Sequence, residues 1–129
     1  MDPLLPSQVL KLRAAAAEMA GACLAPRADE VDRECRWPEH AMRALGESGL
    51  MGLHVPGRLG GHGQGLLALA VVTEALAQGC SSSAMCYGMH CVGTAVIAAK
   101  ATRDQEERYL RPIAQGRHVT TLALTETGT

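Results

Sequence analysis

The sequence has few aromatic residues. Its 129 residues include no Phe, and the aromatic side chains are those of Trp37, Tyr87 and Tyr109. A hydrophobic core must therefore be built from Ala, Leu, Val and Met, which favours helices over sheets. Hydrophobic residues make up 47% of the chain and charged residues 19%. These fractions are typical of a globular chain and exclude intrinsic disorder, and the length corresponds to one domain.

Clustered positive charge is also missing. Twelve Lys and Arg residues are balanced by thirteen Asp and Glu residues, and the basic residues are scattered along the chain. Nucleic acids and anionic membrane surfaces attract proteins largely through clustered basic side chains. We therefore expect neither nucleic-acid binding nor a polybasic membrane contact.

The apolar runs are short. The longest, residues 66–72, is well below the ~20 residues that span a bilayer. Residues 75–99 carry no charged side chain, but Gln78, three serines and His90 interrupt them. This pattern favours a buried helix over a membrane span. The N-terminus also lacks the basic start and uninterrupted apolar region of a secretory signal.

The five cysteines are an odd number and show no CxxC spacing. These features predict reduced thiols in a cytoplasmic protein rather than a disulfide framework. Cys86 and His90 lie four residues apart on a predicted helix, but a structural zinc site needs four ligands and no second pair accompanies them. We therefore predict no metal site.

Hydrophobic periodicity predicts a mainly α fold of about five helices that ends in one strand. Pro26 is expected to end the first helix, and Ser81–Ser83 to cap the fourth. The third helix is apolar on nearly all sides and is expected to be buried. The helices are predicted over residues 7–24, 38–49, 66–78, 81–99 and from Thr102 onward, with a charged helical turn over 29–36 and the strand over 118–125.

Residues 50–65 form a glycine-rich loop between two predicted helices. Such loops can bind phosphate, but this one contains neither GxGxxG nor GxxxxGK followed by Ser or Thr. We interpret its glycines as positions that need positive φ angles.

The predicted helix over residues 81–99 carries three stripes of side chains at helical spacing. The first is made of small residues, which allow another helix to approach closely; the second is apolar, and the third is polar without charge. The small stripe holds Ala84, Gly88, Cys91, Ala95 and Ala98, the apolar stripe Met85, Met89, Val92 and Val96, and the polar stripe Ser83, Tyr87, His90 and Thr94.

Four short segments follow one another in a characteristic order. They are Asp32–Pro38, a charged run that ends in Trp-Pro; Leu45–Pro56, followed by Gly60–Gly63; Asp104–Pro112, followed by Gly116; and Ala123–Glu126. Together these segments resemble the N-terminal part of the acyl-CoA dehydrogenase family.

The resemblance implies an FAD-dependent oxidoreductase with an N-terminal helical domain, a middle β domain and a C-terminal four-helix domain. In that family a carboxylate removes the α-proton of an acyl-CoA thioester, and the β-hydrogen leaves as hydride to flavin N5. The resemblance assigns cofactor contacts to Leu122, Leu124 and Thr125, with the Thr125 hydroxyl as the side-chain donor. It places the catalytic carboxylate in the C-terminal domain, so no catalytic residue is expected in this chain.

The resemblance also implies how the chain divides. Residues 1–117 correspond to the helical N-terminal domain, and residues 118–129 to the start of a middle β domain that is cut short. Thr127 stands where the family usually has Pro, and the sequence ends before the family's Gly-Ser-Asp. We therefore expect a truncated chain that is inactive alone and does not bind FAD tightly. For the full-length protein the resemblance implies acyl-CoA as substrate, a homo-oligomer, and electron-transfer flavoprotein or another acceptor.

Several alternatives stay open at this point. The same residues are compatible with an acyl-CoA oxidase or a flavin-dependent monooxygenase of the same superfamily, or with a non-catalytic helical interaction module. Met85, Met89 and Val92 either pack between helices or line a tunnel for the acyl chain. His90 is either a hydrogen-bonded core histidine or a contact to substrate.

Overall fold

Helices form all the regular structure in the computed structural model, which describes residues 4–128. This confirms the mainly α prediction. The α-helices are α1 (Ser7–Met19), α2 (Ala28–Glu34), α3 (Glu39–Glu47), α4 (Leu66–Ala77), α5 (Ser81–Lys100), α6 (Arg103–Gln105) and α7 (Arg111–Ala114). Shorter turns connect them: π-helical turns over Ala20–Leu24 and Glu106–Leu110, and 3₁₀ turns over Ala25–Arg27, Leu50–Gly52 and Gly57–Leu59.

Two prolines lie inside helical stretches. Pro26 and Pro112 each follow the end of a π-helical turn by two residues. At the end of each turn an amide donates to the carbonyl five residues earlier, from Ala25 to Ala20 and from Arg111 to Glu106. This wider turn lets the helix pass a residue that has no N–H to donate. Helical structure continues past Pro26 into α2, so the prediction that this proline ends the first helix is wrong.

The core lies where α4 packs between α1 and α5. From α4, Ala68, Val72 and Leu76 are buried in it at helical spacing. A Cβ atom on Gly88 of α5 would be 4.0 Å from the Thr73 methyl of α4, an ordinary van der Waals distance, so this position of the small stripe faces α4. A second, smaller cluster joins the loop to the last helices and consists of Val55, Leu59, Leu110 and Ile113.

The starts of α4 and α5 differ from the predictions. Leu66 and Leu67 are 78% and 52% exposed, so α4 is not buried on all sides. The residue that caps α5 is Cys80, whose Sγ accepts a hydrogen bond from the Ser83 amide at 3.5 Å. Cys80 already has the extended backbone of a cap, and the serine triplet therefore lies inside the first turn of the helix.

A Schellman motif ends α7 and turns the chain back over α5. The Gly116 amide donates to the Ile113 carbonyl and the Arg117 amide to the Pro112 carbonyl, with φ +72° at Gly116. Residues 117–126, which follow, form neither helix nor strand. A strand exists only beside a partner, and residues 4–128 contain none. The strand predicted over residues 118–125 is therefore not formed in this part of the chain.

Candidate functional site

The polar stripe of α5 faces inward, against the 3₁₀ turn at Leu50–Gly52. Tyr87 and His90 are both fully buried. The Tyr87 hydroxyl donates to the Leu50 carbonyl at 3.0 Å, and His90 Nε2 bonds to the Met51 carbonyl at 2.9 Å. A buried carbonyl without a partner costs free energy, and His90 supplies a partner to Met51. Tyr87 adds a second hydrogen bond to the Leu50 carbonyl, which also accepts from the Leu53 amide. The uncharged polar stripe thus serves to hold the glycine-rich loop.

His90 bonds to two distant parts of the chain at once. Besides its contact with Met51, its Nδ1 accepts the Thr120 amide at 3.1 Å. A carbonyl only accepts and an amide only donates, so the proton lies on Nε2 and the ring is neutral. Burial lowers the pKa of His90; the bond to Met51 opposes this effect and the positive charge of His54 adds to it. Of the two interpretations of His90, the structure shows the hydrogen-bonded core histidine.

The other buried ionisable groups of α5 are also held neutral. Burial raises the pKa of Tyr87 well above its ordinary value and that of Cys91 to about 12. A thiol with such a pKa carries almost no thiolate at neutral pH, and the thiolate is the reactive form. The interior of α5 therefore offers hydrogen bonds but no nucleophile.

The glycine-rich loop is held together by its own backbone. Of its six glycines, those at 60 and 63 have the predicted positive φ angles and the other four do not; Gly49 just before the loop also has a positive φ angle. His54 Nδ1 also bonds to the Gln64 carbonyl at 2.7 Å. Because its amides already have partners inside the loop, they are not available to cradle a phosphate. The amides of His62, Gly63 and Gln64 donate to the carbonyls of Gly52, Val55 and Leu53.

An apolar face remains open on the outside of α5. We define it by Trp37, Met85, Met89 and Val96, which are 54%, 66%, 37% and 47% exposed. Val92 beside them is half-buried. Of the three residues for which helix packing was one interpretation, Met85 and Met89 are exposed rather than packed in the core of residues 4–128, and Val92 is half-buried. An exposed apolar face of this kind is typical of a surface that binds a ligand or another element.

Residues 118–121 run between two clefts that lie on this side of α5. The first has a volume of about 320 Å³ and is lined by Trp37, Met85, Met89 and the threonines at 120 and 121. The second has a volume of about 590 Å³. It is lined mainly by apolar atoms, and its walls include Val96, Ile97, Lys100, Tyr109, Ile113 and residues 118–120.

The three residues predicted to contact the cofactor follow directly after this anchored stretch. Leu122 is half-buried, Leu124 is 77% exposed and Thr125 is exposed. Neither of the two clefts includes them. The structure thus places all three on the segment that follows the clefts, with Leu124 and Thr125 exposed and Leu122 half-buried.

Residues 4–128 contain no group of three or more His, Cys, Asp or Glu side chains arranged to hold a metal ion. In the same range no helix has the length and apolar character needed to cross a membrane. All five cysteines are unpaired.

A model of the acyl-CoA dehydrogenase N-terminal domain matches residues 7–117. This range covers every helix described above. The chain belongs to the acyl-CoA dehydrogenase family. Among curated members, it is 31% identical to the acryloyl-CoA reductase (NADH) of Anaerotignum propionicum over 98% of this chain. It is also 31% identical to the mitochondrial short-chain specific acyl-CoA dehydrogenase of Sus scrofa over 96% of this chain.

Solved structures share the same helical fold. A chain in the structure of the electron transferring flavoprotein of Acidaminococcus fermentans superposes with a TM-score of 0.83 at 29% identity, over 92% of this chain and 32% of that one. The butyryl-CoA dehydrogenase of Megasphaera elsdenii gives a TM-score of 0.81 at 22% identity, again over 92% and 32%. The chain spans about a third of the length of the curated relatives, 32% and 30% for the two named above.

Gly93 is the site residue that sequence reasoning missed in this acyl-CoA dehydrogenase domain. A Cβ atom built on it would lie 2.9 Å from the Thr121 carbonyl carbon and oxygen and 3.0 Å from Thr120 Oγ1. The absence of a side chain therefore lets residues 120–121 rest on the helix backbone. A glycine inside a long helix is a recognised signal of such close approach. Gly93 lies three residues after His90 on α5.

Proposed function

We propose that this chain is the N-terminal helical part of an FAD-dependent acyl-CoA dehydrogenase. The complete enzyme would oxidise an acyl-CoA thioester at its α and β carbons and pass the hydride to flavin N5. The match of the N-terminal domain model to residues 7–117 carries this proposal. Dehydrogenases and a reductase of CoA thioesters are the named relatives, which supports this reaction over that of an oxidase or a monooxygenase.

Residues 122–125 would form part of the flavin site in this proposal. FAD, when bound, supplies the hydride acceptor. Leu124 and Thr125 are exposed, so the Thr125 hydroxyl and the neighbouring backbone are accessible to a flat ring. The residues present are therefore compatible with FAD, and they provide orientation and hydrogen bonds. Because these residues lie outside both clefts, we expect tight FAD binding only when the remaining domains are present.

The apolar face would contribute to acyl binding. Met85, Met89 and Val92 lie along one side of α5, and the first two line the 320 Å³ cleft. Flexible methionine side chains suit an apolar chain of variable shape. We propose that these three residues line the acyl tunnel once another domain covers the face. The catalytic carboxylate would come from that other part of the enzyme.

The proposal extends to partners and location. We propose acyl-CoA as substrate, a homo-oligomeric full-length protein, and electron-transfer flavoprotein or another acceptor for the reduced flavin. The unpaired state of all five cysteines supports a reducing compartment, and we propose the cytoplasm.

A second candidate function is a non-catalytic interaction module. The exposed apolar face favours it, since Trp37 and Met85 could contact a partner protein as well as another domain. The enzyme needs the rest of the protein to complete the FAD site and supply the catalytic carboxylate, whereas the interaction module needs neither.

A chimera tests the proposed function. Residues 1–129 would replace the matching segment of the short-chain acyl-CoA dehydrogenase from Sus scrofa, with that enzyme itself as the positive control. We expect a yellow protein that retains FAD through gel filtration and reduces a dye acceptor in the presence of an acyl-CoA. A folded, colourless chimera would favour the interaction module. Production of hydrogen peroxide from oxygen in place of dye reduction would indicate an oxidase.

A further inference from the structure

His90 is placed to control the segment that leads to the predicted flavin contacts. It lies fully buried in the middle of α5 and bonds to the loop through Met51 and to the C-terminal segment through Thr120. The separations along the chain are 39 residues to Met51 and 30 to Thr120. One ring thus connects three distant parts of the domain.

Gly93 holds the same segment from the next turn of α5. Its missing side chain leaves the space that the Thr121 carbonyl group and the Thr120 hydroxyl occupy. His90 fixes the Thr120 amide by a hydrogen bond, and Gly93 fixes the distance between the segment and the helix. Two independent contacts therefore hold residues 120 and 121 in one position.

We infer that His90 and Gly93 are positioning residues, which fix the register of residues 120–125 on α5 and thereby aim Leu122, Leu124 and Thr125 at the flavin. This inference rests on the proposed function. A shift of this segment by one residue along α5 would move every side chain after Thr120 and carry the Thr125 hydroxyl away from its target. A bond to Thr120 lies close enough to Thr125 to prevent such a shift.

Two substitutions of His90 test the hydrogen bonds of its two ring nitrogens separately. In His90→Gln, the amide nitrogen can still donate to the Met51 carbonyl from the place of Nε2, but no acceptor remains for Thr120. In His90→Asn, the shorter side chain can place an oxygen near the position of Nδ1, which keeps the acceptor for Thr120 and loses the bond to Met51. Gly93→Ala disturbs the same segment without changing the histidine.

Tyr87→Phe is the matched control. Tyr87 lies on the same inward stripe of α5 and bonds to the same loop turn through the Leu50 carbonyl. It does not bond to residues 120–121, so its loss weakens the loop while leaving the C-terminal segment in place. Any effect that Tyr87→Phe shares with His90→Gln reflects general destabilisation.

Hydrogen–deuterium exchange of the 129-residue chain gives the first measurement. We expect peptides that cover residues 117–125 to exchange about tenfold faster in His90→Gln and Gly93→Ala, the loss expected for one buried hydrogen bond. We expect wild-type rates there in Tyr87→Phe and in His90→Asn. Unchanged exchange in both His90→Gln and Gly93→Ala would overturn the inference.

The second measurement is the FAD affinity of the chimera, determined from the quenching of flavin fluorescence. We expect the dissociation constant to rise about tenfold in His90→Gln and Gly93→Ala and the flavin absorbance band to shift, with Tyr87→Phe like wild type. Faster exchange without any change in affinity or spectrum would overturn the positioning role and leave the proposed function standing. A folded wild-type chimera without FAD would overturn the proposed function, and with it the assignment of a flavin-directed role to His90.

Discussion

At the scale of single residues, His90 makes the stability of the domain depend on pH. Its pKa is lowered chiefly by burial, below the ~6.5 of a histidine in an unfolded chain. The neutral ring accepts from Thr120, and a protonated ring cannot. The stabilisation that it provides is therefore complete above about pH 6.5 and is lost as the pH falls through the pKa of the folded state.

This dependence can be measured by urea unfolding at pH 7.5 and pH 5.0. We expect wild type to lose more free energy of unfolding between the two conditions than His90→Asn, which does not titrate. His54, whose charge disfavours protonation of His90, is present in both proteins, so its effect largely cancels. His118→Asn, at an exposed histidine, should lose as much as wild type. Equal losses in wild type and His90→Asn would contradict the prediction.

The Tyr87 hydroxyl gives a second prediction at this scale. Tyr87→Phe should lower the free energy of unfolding by about 0.5–1.5 kcal/mol, the contribution of one hydrogen bond. We expect the lower half of that range, because the Leu50 carbonyl keeps its bond from the Leu53 amide at 3.2 Å. Tyr109→Phe, at a residue that is 37% exposed, should change stability little. Urea unfolding of the two variants compares them, and equal losses would show that the buried bond contributes nothing.

At the scale of elements, two glycines near the contact between α1 and α4 should respond in opposite ways to alanine. Gly21 lies in the π-helical turn, and a Cβ atom there would meet nothing within 4 Å. Gly21→Ala should therefore stabilise the chain by about 0.5–1 kcal/mol. A Cβ atom on Gly79 would lie 2.5 Å from the Ala20 carbonyl oxygen, so Gly79→Ala should destabilise it by about 1–3 kcal/mol. Thermal unfolding checks both signs; a stabilising Gly79→Ala would mean that α1 can move aside freely.

Local patterns were sufficient to predict most helices but not how the chain passes its prolines. The apolar spacing of α1, α4 and α5 follows from the helical period, and Thr102 forms the capping box with Gln105 that its position suggests. The π-helical turns before Pro26 and Pro112 were not predicted, because a proline in sequence reads as a stop while the wider turn depends on packing. The strand was predicted from composition, yet a strand depends on a partner outside its own sequence.

Like the fold, the candidate site could be predicted from the sequence only in part. The polar stripe of α5 was visible in the sequence, but its direction was not, because the sequence does not tell which carbonyl groups need partners. Tyr87 and His90 turn inward, where the carbonyls of Leu50 and Met51 in the 3₁₀ turn accept hydrogen bonds from them. Met85 and Met89 share the helix with buried residues, and only the packing shows that they face outward.

At the scale of the whole molecule, the exposure of the apolar face is the feature that contacts within residues 4–128 do not explain. Its methionines and Trp37 lie beside residues 118–121, next to the predicted flavin contacts. In the complete enzyme proposed here, another domain would cover this face and enclose the acyl chain. The inner side of α5 thus holds the loop and the C-terminal segment, while its outer side would meet the rest of the proposed enzyme.

Carboxylates introduced on the apolar face test whether this face is exposed in the isolated chain and covered in the complete enzyme. In the isolated chain, Met85→Glu with Met89→Glu should raise solubility and reduce binding of an apolar fluorescent dye. The melting temperature should fall only slightly, because Met85 is 66% exposed and Met89 37% exposed. In the chimera the same pair should weaken docking of the other domains, since burial of two carboxylates without partners is costly. Leu66→Glu, at an exposed leucine of α4, is the control and should leave FAD retention unchanged. Dye binding by the isolated chain and FAD retention by the chimera measure the two effects. Full FAD content in the doubly substituted chimera would show that the apolar face stays open to solvent in the assembled protein.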